Sequence, residues 1–368
     1  MDVLDEARRR EAAGEKIIHM ELGQPGARAP STVINAAQEA LAGGYFGYTE
    51  ARGRAALRDR ISRHYREAYG LEVPESRIIV TTGSSAGFNL AFLGAFDPGD
   101  RIALTAPGYP AYRNILEALG LEPVEIAVGP ETRWALEPEL LERAHAEKPL
   151  KGVLIASPGN PTGTMMRPAA LKAICEASRD LGLTLISDEI YHGLVYEGET
   201  ASALHYCDEA VVINSFSKYY CMTGWRVGWM IVPQALVRPL ERIAQSLYIC
   251  PPDISQRAGI AAFDATEELE QVKAGYAKSR ALLLDRLPKL GFDELLPVDG
   301  AFYVYAGVRS FTNDSVDFAR RMLAEAGIAT TPGPDFDRAR GNRYLRFSFA
   351  GDYQDMVTAT DRLAAWLR

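Results

Sequence analysis

Short apolar runs alternate with helical patterns through the middle of this 368-residue chain. Runs with the length of buried strands lie at residues 78–81, 101–105, 152–156, 183–187, 210–213 and 228–232. Because strands that are apolar on both faces need cover on both faces, the alternation predicts an α/β fold. Its mostly parallel central sheet is expected to lie between layers of helices.

The two ends of the chain follow a different pattern. From about residue 255 a long helical stretch leads to a strand at 301–305, a helix near 316–326 and a strand at 344–349. This mixture predicts a smaller α+β unit, which a short strand near residue 18 is expected to join. We therefore predict an N-terminal segment 1–44 that joins the small domain, a large domain at 45–255, and a small C-terminal domain at 256–368.

Composition argues against several classes of function. Hydrophobic residues make up 47% and charged residues 24% of the chain, as in ordinary globular proteins. The net charge of −8 argues against a nucleic-acid partner, and no apolar run reaches the length of a membrane span. The four cysteines match no zinc or disulfide spacing, and the charged N-terminus is not a signal peptide. We expect a cytoplasmic protein with reduced thiols and no metal site.

The stretch from Ser215 to Arg226 follows the apolar run 210–213 and carries hydroxyls, an amine and a guanidinium. Lys218 lies just beyond the strand end, where a dry pocket favours the neutral amine that forms a Schiff base. Ser215 and Arg226 offer the hydroxyl donor and the forked cation that a phosphate group binds. An amine beside a phosphate site indicates pyridoxal phosphate, an aldehyde that carries a phosphate. The alternative is a solvated loop lysine beside a serine-rich strand end.

Two other strand ends carry residues suited to an anion or a polar ligand. Ser84 and Ser85 lie between a strand and a helix, where backbone N–H groups can hold an anion. The alternative is an ordinary serine cap of that helix. Asn160 lies in a loop that two prolines and two glycines fix, and its amide either points at a ligand or caps its own backbone.

The strand at 183–187 is followed by an acid and a tyrosine. Asp188 at a buried strand end needs a cationic partner, which a protonated pyridine nitrogen would supply; alternatively it caps the next helix. Tyr191 can donate a hydrogen bond to a phenolate oxygen, and Tyr109 either lies flat on an aromatic cofactor or belongs to the core. His192 is interpreted as a packing or surface residue.

In their order and spacing these residues resemble the class I/II aminotransferases, the fold type I pyridoxal-phosphate enzymes. The resemblance covers almost the whole chain. Its landmarks are Gly23, Tyr48, Gly83-Ser84-Ser85, Tyr109, Asn160-Pro161-Thr162-Gly163, Asp188, Tyr191, Ser215, Lys218, Arg226 and Arg346. One departure is Gly26-Ala27 after Pro25, where the family often has Asp-Phe, and this leaves open how the N-terminal segment closes over substrate.

The resemblance implies a role for each landmark in cofactor binding and catalysis. Lys218 resembles the Schiff-base lysine that moves a proton between the substrate Cα and C4′ of the cofactor. Asp188 is similar to the partner of the pyridinium nitrogen, and Tyr191 to a donor to O3′. The other cofactor contacts implied are Asn160 at O3′, Tyr109 stacked on the ring, Ser84, Ser85, Ser215 and Arg226 at the phosphate, and Tyr48 at the phosphate of the neighbouring subunit of a homodimer.

The resemblance also implies the substrates, which are an amino acid and a 2-oxo acid. Arg346 is similar to the residue that binds the α-carboxylate, Gly23 lies beside it, and Asn160 completes the substrate site. Position 85 is a serine and the stretch 245–252 holds no cation, so we expect neutral or aromatic donors, with 247–249 lining the pocket. The alternatives are an aspartate/glutamate-preferring aminotransferase, a β-lyase on the same fold, and a non-catalytic ligand-sensing domain.

Overall fold

A computed structural model describes residues 2–295 and 298–368. The strands are β1 (Ile18–His19), β2 (Ile78–Thr81), β3 (Arg101–Ala106), β4 (Glu122–Ala127), β5 (Gly152–Ala156), β6 (Thr184–Asp188), β7 (Val211–Ser215), β8 (Gly228–Ile231), β9 (Tyr303–Gly307), β10 (Ile328–Ala329), β11 (Thr331–Pro332) and β12 (Tyr344–Ser348). The helices are α1 (Asp2–Ala12), α2 (Ser31–Ala42), α3 (Ala55–Tyr69), α4 (Gly83–Ala95), α5 (Pro110–Ala118), α6 (Pro138–Glu147), α7 (Pro168–Asp180), α8 (Gln234–Tyr248), α9 (Asp253–Ala262), α10 (Thr266–Lys289), α11 (Ser315–Arg321) and α12 (Tyr353–Trp366).

The central sheet has the strand order β2-β8-β7-β6-β5-β3-β4 within the described residues. Strands β3 to β7 pair in parallel, whereas β8 runs antiparallel to both of its neighbours. Buried apolar side chains form one cluster on each face of this sheet, with helices packed over them. The predicted α/β fold with a mostly parallel sheet is confirmed.

Strand β4 is absent from the sequence prediction. It lies at the edge of the sheet, pairs only with β3, and contains Pro123, which cannot donate to a ladder. Most of its side chains are exposed or half-buried, so it lacks the continuous apolar run that marks the central strands. An edge strand of this kind carries little of the signal by which buried strands are recognised.

Both ends of the chain build the smaller sheets. Strands β11, β12 and β9 form an antiparallel sheet, and β1 pairs in parallel with β10 so that Ile18 lies opposite Ile328. The backbone N–H of Ser348 donates to the carbonyl of Met20 at 2.7 Å, which joins the N-terminal segment to β12. The predicted domain boundaries stay a prediction; α2 packs its buried residues Val33 and Ala37 into the apolar cluster of the central sheet.

The topology brings the carboxyl ends of the parallel strands together. Ala156 of β5 lies opposite Asp188 of β6, which lies opposite Ile213 of β7. In open α/β sheets this edge is where ligands bind. Helix α4 begins at Gly83 and so includes Ser84 and Ser85, which were expected to precede it, and its first turn faces the same edge. None of the helices in the described residues is long and apolar enough to cross a membrane.

The core of the smaller sheet gives a stability prediction. Phe347 in β12 is fully buried and packs edge-on against Phe292 at 5.4 Å between ring centroids. Replacing Phe347 by alanine leaves a cavity and should lower the free energy of unfolding by about 3–5 kcal/mol. Val316→Ala, at a 50% exposed position, should change it by less than ~0.5 kcal/mol. Equal denaturant midpoints for both variants would contradict this packing.

Candidate active site

A cavity of ≈ 370 Å³ opens at the carboxyl ends of β2, β5, β6 and β7. It lies between the central sheet, the N-terminal segment and the smaller antiparallel sheet. The predicted site residues that line it are Gly23, Ser84, Ser85, Tyr109, Asn160, Asp188, Tyr191, Lys218, Arg226 and Arg346. Ser215, Tyr48 and the expected pocket residues 247–249 do not line this cavity.

Lys218 follows β7 and points its amine into the cavity. Its Nζ donates to the backbone carbonyl of Gly23 at 2.5 Å and lies 5.8 Å from the centre of the Tyr191 ring. Burial lowers the pKa of Lys218 to about 8, the charge of Arg346 adds to the effect, and Asp188 opposes it. The amine therefore becomes neutral, and so nucleophilic, at a pH well below the usual value for lysine.

Asp188 ends β6 and is 4% exposed. It accepts hydrogen bonds from the hydroxyl of Tyr112 and, at 3.0 Å, from the backbone N–H of Ile190. Burial raises the pKa of Asp188 to about 6, while both hydrogen bonds and Lys218 oppose the shift. Within the described residues no cation forms an ion pair with this carboxylate, so its charge is left without a close partner.

The first turn of α4 faces the guanidinium of Arg226. Gly83 has φ +74° and a Cβ there would collide with that guanidinium, so glycine is needed for this approach. Arg226 itself donates to the carbonyl of Thr223 at 3.1 Å, and Ser84 and Ser85 lie beside it in the cavity wall. Backbone N–H groups, hydroxyls and a fixed guanidinium together form an anion-binding corner.

Ser215 is 1% exposed and its hydroxyl is engaged inside the protein. Its Oγ donates to the carbonyl of Val227 at 3.1 Å and accepts from the backbone N–H of Ser217 at 3.1 Å. Ser217, which the sequence analysis did not single out, lines the cavity, and its Oγ lies 2.9 Å from that of Ser215. The side chain of Tyr48 is on the surface of the chain at 83% exposure.

Arg346 of β12 forms the opposite wall of the cavity. Its Nη1 donates to Asn160 Oδ1 at 2.9 Å and its Nη2 donates to the backbone carbonyl of Glu21 at 2.5 Å. The guanidinium carbon lies 4.3 Å from the ring centre of Tyr303 and 4.9 Å from that of Phe336. Its buried Nε has no partner among the described residues, so the group keeps donor capacity for a ligand.

Tyr112 and Tyr303 are contributors that the sequence analysis missed. Both are buried tyrosines in apolar stretches, where aromatic residues are expected to pack in the core. Tyr303 forms a 2.8 Å hydrogen bond between its hydroxyl and that of Tyr191. The only available signal was that a buried tyrosine needs a hydrogen-bond partner, and that signal does not identify the partner.

His192 is buried and points away from the cavity. Its Nδ1 lies 3.0 Å from the hydroxyl of Tyr69 and 3.5 Å from a carboxylate oxygen of Glu189. Burial lowers the pKa of His192 to about 3, so the ring is neutral at physiological pH. This geometry is that of a packing residue, as the sequence interpretation has it.

The residues present fit pyridoxal phosphate. The buried carboxylate of Asp188 has no cationic partner in the part of the chain that the structure describes, and a protonated pyridine nitrogen would provide one. The corner at Gly83 has the donors that a phosphate binds, and Lys218 offers an amine that is readily neutral. The half-exposed ring of Tyr109 lies in the cavity wall, where an aromatic ligand can stack on it.

Comparison with known proteins identifies the family. The model of the family "Aminotransferase class I and II" matches residues 15–363. The chain is 48% identical to a valine–pyruvate aminotransferase of Mycobacterium tuberculosis, covering 100% of this chain and 95% of the relative.

Solved structures agree with this result. A crystal structure of an aminotransferase from Mycobacterium tuberculosis superposes with a TM-score of 0.97 at 48% identity, over 100% of this chain and 95% of that one. An aspartate aminotransferase from Thermus thermophilus with maleate superposes with a TM-score of 0.93 at 32% identity, over 99% and 95% of the two chains. The chain belongs to the class I and II aminotransferases, the pyridoxal-phosphate-dependent enzymes that move an amino group between an amino acid and a 2-oxo acid.

Proposed function

We propose that this aminotransferase prefers a neutral, apolar amino donor such as valine and accepts the amino group on pyruvate or a similar 2-oxo acid. The observation that carries the proposal is the charge of the cavity wall. Within the described residues the cations that line it are Lys218, Arg226 and Arg346. Lys218 is proposed to move the proton, Arg226 to bind the phosphate and Arg346 to bind the α-carboxylate. None of these three cations therefore remains for a side-chain carboxylate of the substrate.

Lys218 is the catalytic base of this scheme. When bound, pyridoxal phosphate supplies an electron-withdrawing ring that stabilises negative charge at the substrate Cα. The neutral Nζ of Lys218 would take the proton from the substrate Cα and would hold it for return to the other side of the reacting system. Its lowered pKa supports this role because a base with a pKa near the working pH is the most effective.

Asp188 and Tyr191 hold the cofactor ring in its reactive state. The carboxylate of Asp188 would favour the protonated pyridine nitrogen, and the hydroxyl of Tyr112 orients that carboxylate. Tyr191 and Asn160 would offer hydrogen bonds to O3′, and Tyr109 would offer its ring for stacking. These roles are supported by the presence of all of these side chains in one cavity wall.

Anchoring groups sit at both ends of the cavity. The phosphate ligands in this proposal are Ser84, Ser85 and Arg226, which line the cavity, and Ser215, whose hydroxyl would have to give up its bond to the Val227 carbonyl. At the other end Arg346 binds the α-carboxylate of the substrate as a fork, with Gly23 beside it. The free Nε of Arg346 supports this role, because a carboxylate can take that donor together with an Nη.

Other arginines near the cavity are already engaged. Arg133 donates to the buried carboxylate of Asp299 at 2.6 Å, and Arg340 donates to Asp337 at 2.8 Å. The expected pocket residues 247–249 are outside the cavity of their own chain, and Leu247 and Ile249 are 53% and 48% exposed. In this proposal they reach a site only across a dimer interface, where they add apolar surface and no charge.

A homodimer with shared sites is part of the proposal. Large apolar side chains are exposed in two segments that meet where the backbone N–H of Thr49 donates to Cys250 Sγ, and they are Leu41, Tyr45, Tyr48, Leu247 and Ile249. Exposed apolar residues in such number indicate a surface that is covered in the working protein. Tyr48 then reaches the phosphate bound by the partner subunit.

The pKa of Lys218 gives a first test. Burial disfavours the charged amine, so in the cofactor-free protein Lys218 should lose its proton with a midpoint near pH 8. Competitive acetylation followed by peptide mass spectrometry should show its reactivity levelling off above that pH. The peptide with Lys172, whose side chain is 57% exposed, serves as the reference. A Lys218 midpoint at the ordinary lysine value of about 10.4 would refute the dry pocket.

The role of Asp188 gives a second test. Asp188→Asn removes the negative charge that holds the pyridine proton, so kcat should fall by at least ~100-fold, about 2.7 kcal/mol of transition-state stabilisation. Glu189→Gln is the matched control, because Glu189 is an equally buried acid. Its carboxylate accepts hydrogen bonds from the hydroxyl of Ser202 and the backbone N–H of Ala203. It should lower thermal stability and leave kcat within threefold or so. Near wild-type turnover of Asp188→Asn would sink the proposal.

Substrate preference is the third test. With pyruvate as acceptor, kcat/KM for valine should exceed that for aspartate by more than ~10-fold, about 1.4 kcal/mol. The reverse ratio would show that a cation reaches the pocket and that the aspartate-preferring alternative is correct. With S-methylcysteine, which carries a thiolate leaving group on Cβ, and without an acceptor, release of 2-oxo acid should stop at one equivalent per site. Continued release of pyruvate together with methanethiol and ammonia would identify a β-lyase.

Hybrid dimers test the shared site. We expect Tyr48→Phe to weaken cofactor binding in both sites of its own homodimer, because each site loses one phosphate contact. In a hybrid of Tyr48→Phe and Lys218→Ala subunits, the site that keeps Lys218 receives an unaltered Tyr48 from the partner. That site should bind cofactor as tightly as the wild-type enzyme does. A weakened Lys218 site in the hybrid, or a fully active monomer in sedimentation, would contradict the shared arrangement.

A further inference from the structure

Tyr303 touches both halves of the proposed site. It begins β9 and is 1% exposed. Its hydroxyl lies 2.8 Å from that of Tyr191, and its ring centre lies 4.3 Å from the guanidinium carbon of Arg346. A Cβ at Gly23 would lie only 2.7 Å from the same hydroxyl, so the missing side chain at Gly23 leaves room for it.

The proposed function determines which of the two hydroxyls, that of Tyr191 or that of Tyr303, donates the hydrogen bond between them. If Tyr191 gives its single proton to the O3′ oxygen, it can only accept from its neighbour. Tyr303 must then donate to Tyr191. Burial raises the pKa of Tyr303, the titratable groups around it being Arg346, Tyr191 and Tyr109, so its hydroxyl keeps the proton to donate. A hydroxyl that accepts a hydrogen bond is itself a stronger donor.

The ring of Tyr303 acts on a different group. Arg346 is held between this ring and that of Phe336, whose centre is 4.9 Å from the guanidinium carbon. Cation–π contacts of this kind are strongest where water is excluded, and Arg346 is 6% exposed. The two rings fix the plane of the guanidinium, and with it the direction in which a carboxylate can bind.

We propose that Tyr303 is a positioning residue with two separable tasks. Its hydroxyl strengthens the hydrogen bond that Tyr191 donates to the cofactor, and its ring holds Arg346 ready for the substrate carboxylate. The inference rests on the proposed function, which gives Tyr191 and Arg346 their ligands. It predicts that removal of the hydroxyl and removal of the ring have different consequences.

Two substitutions separate these tasks without relying on turnover. Tyr303→Phe removes the hydroxyl and keeps the ring, whereas Tyr303→Leu removes both. The first readout is the pH midpoint of the change in visible absorbance that accompanies loss of a proton from the bound cofactor. The second is the Kd of 2-methylalanine, an amino acid without a Cα proton, followed by the same absorbance.

The hydroxyl should act on the first readout alone. A hydrogen bond to the phenolate oxygen stabilises the deprotonated form, so weakening it raises the pH midpoint, by several tenths of a unit in Tyr303→Phe. The Kd of 2-methylalanine should stay within about twofold, because the ring under Arg346 remains. In Tyr303→Leu the midpoint should rise similarly and the Kd should rise about 5- to 30-fold.

Tyr305→Phe is the matched control. Tyr305 lies on the same strand and is also buried, but its hydroxyl has no hydrogen-bond partner among the described residues. This substitution should move neither readout. A double-mutant cycle adds the decisive comparison. In a Tyr191→Phe background, Tyr303→Phe should cause no further rise of the pH midpoint, because the hydroxyl of Tyr191 through which Tyr303 acts is already absent.

The outcomes distinguish the inference from the function on which it rests. If Tyr191→Phe raises the pH midpoint and Tyr303→Phe does not, the proposed action of the Tyr303 hydroxyl through Tyr191 is wrong. A rise caused by Tyr303→Phe that persists in the Tyr191→Phe background would overturn it too. Equal Kd values for the Phe and Leu variants would overturn the task of the ring. If Tyr191→Phe does not move the midpoint and Arg346→Lys does not move the Kd, the proposed function fails and the inference falls with it.

Discussion

The site depends on the buried Asp188 and the largely enclosed Lys218 at neighbouring strand ends, where neither forms an ion pair with any of the described residues. The low polarity of that edge disfavours both charges, so it raises the pKa of the carboxyl and lowers that of the amine. Strands β6 and β7 lie in the interior of the central sheet, and all of their residues are buried except the half-buried Thr184. The arrangement suits a ligand that brings a ring cation for Asp188 and an aldehyde for Lys218.

The two sheets contribute different parts of the site. The carboxyl ends of the parallel strands carry the groups proposed for the cofactor, while β9 and β12 supply Tyr303 and Arg346 at the substrate end. The N-terminal segment links them: the carbonyl of Gly23 accepts from Lys218, and that of Glu21 accepts from Arg346. In the proposed scheme, substrate binding is therefore coupled to how the smaller sheet and the N-terminal segment lie against the central sheet.

Sequence patterns predict the site residues whose polar side chains are unusual at their positions after apolar strands. Asp188 directly follows an apolar strand, and Asn160 and Lys218 lie in the loops after two others, so each is predicted as a candidate ligand-binding residue beside its local alternative. Tyr112 and Tyr303 sit in stretches where an aromatic residue is ordinary core, and their hydroxyl partners are distant in sequence. Strand β4 is missing from the sequence prediction because an exposed edge strand needs no apolar run. Contacts set by tertiary packing leave no local pattern.

The central claim is that Lys218 is the residue that bonds covalently to pyridoxal phosphate. The direct measurement is reduction of the purified holoenzyme with borohydride, followed by proteolysis and peptide mass spectrometry. The account predicts one phosphopyridoxyl group per chain, on the peptide that contains Lys218, and loss of this adduct in Lys218→Ala. An adduct on any other lysine of the wild-type chain, or none at all, would contradict the scheme proposed for this site.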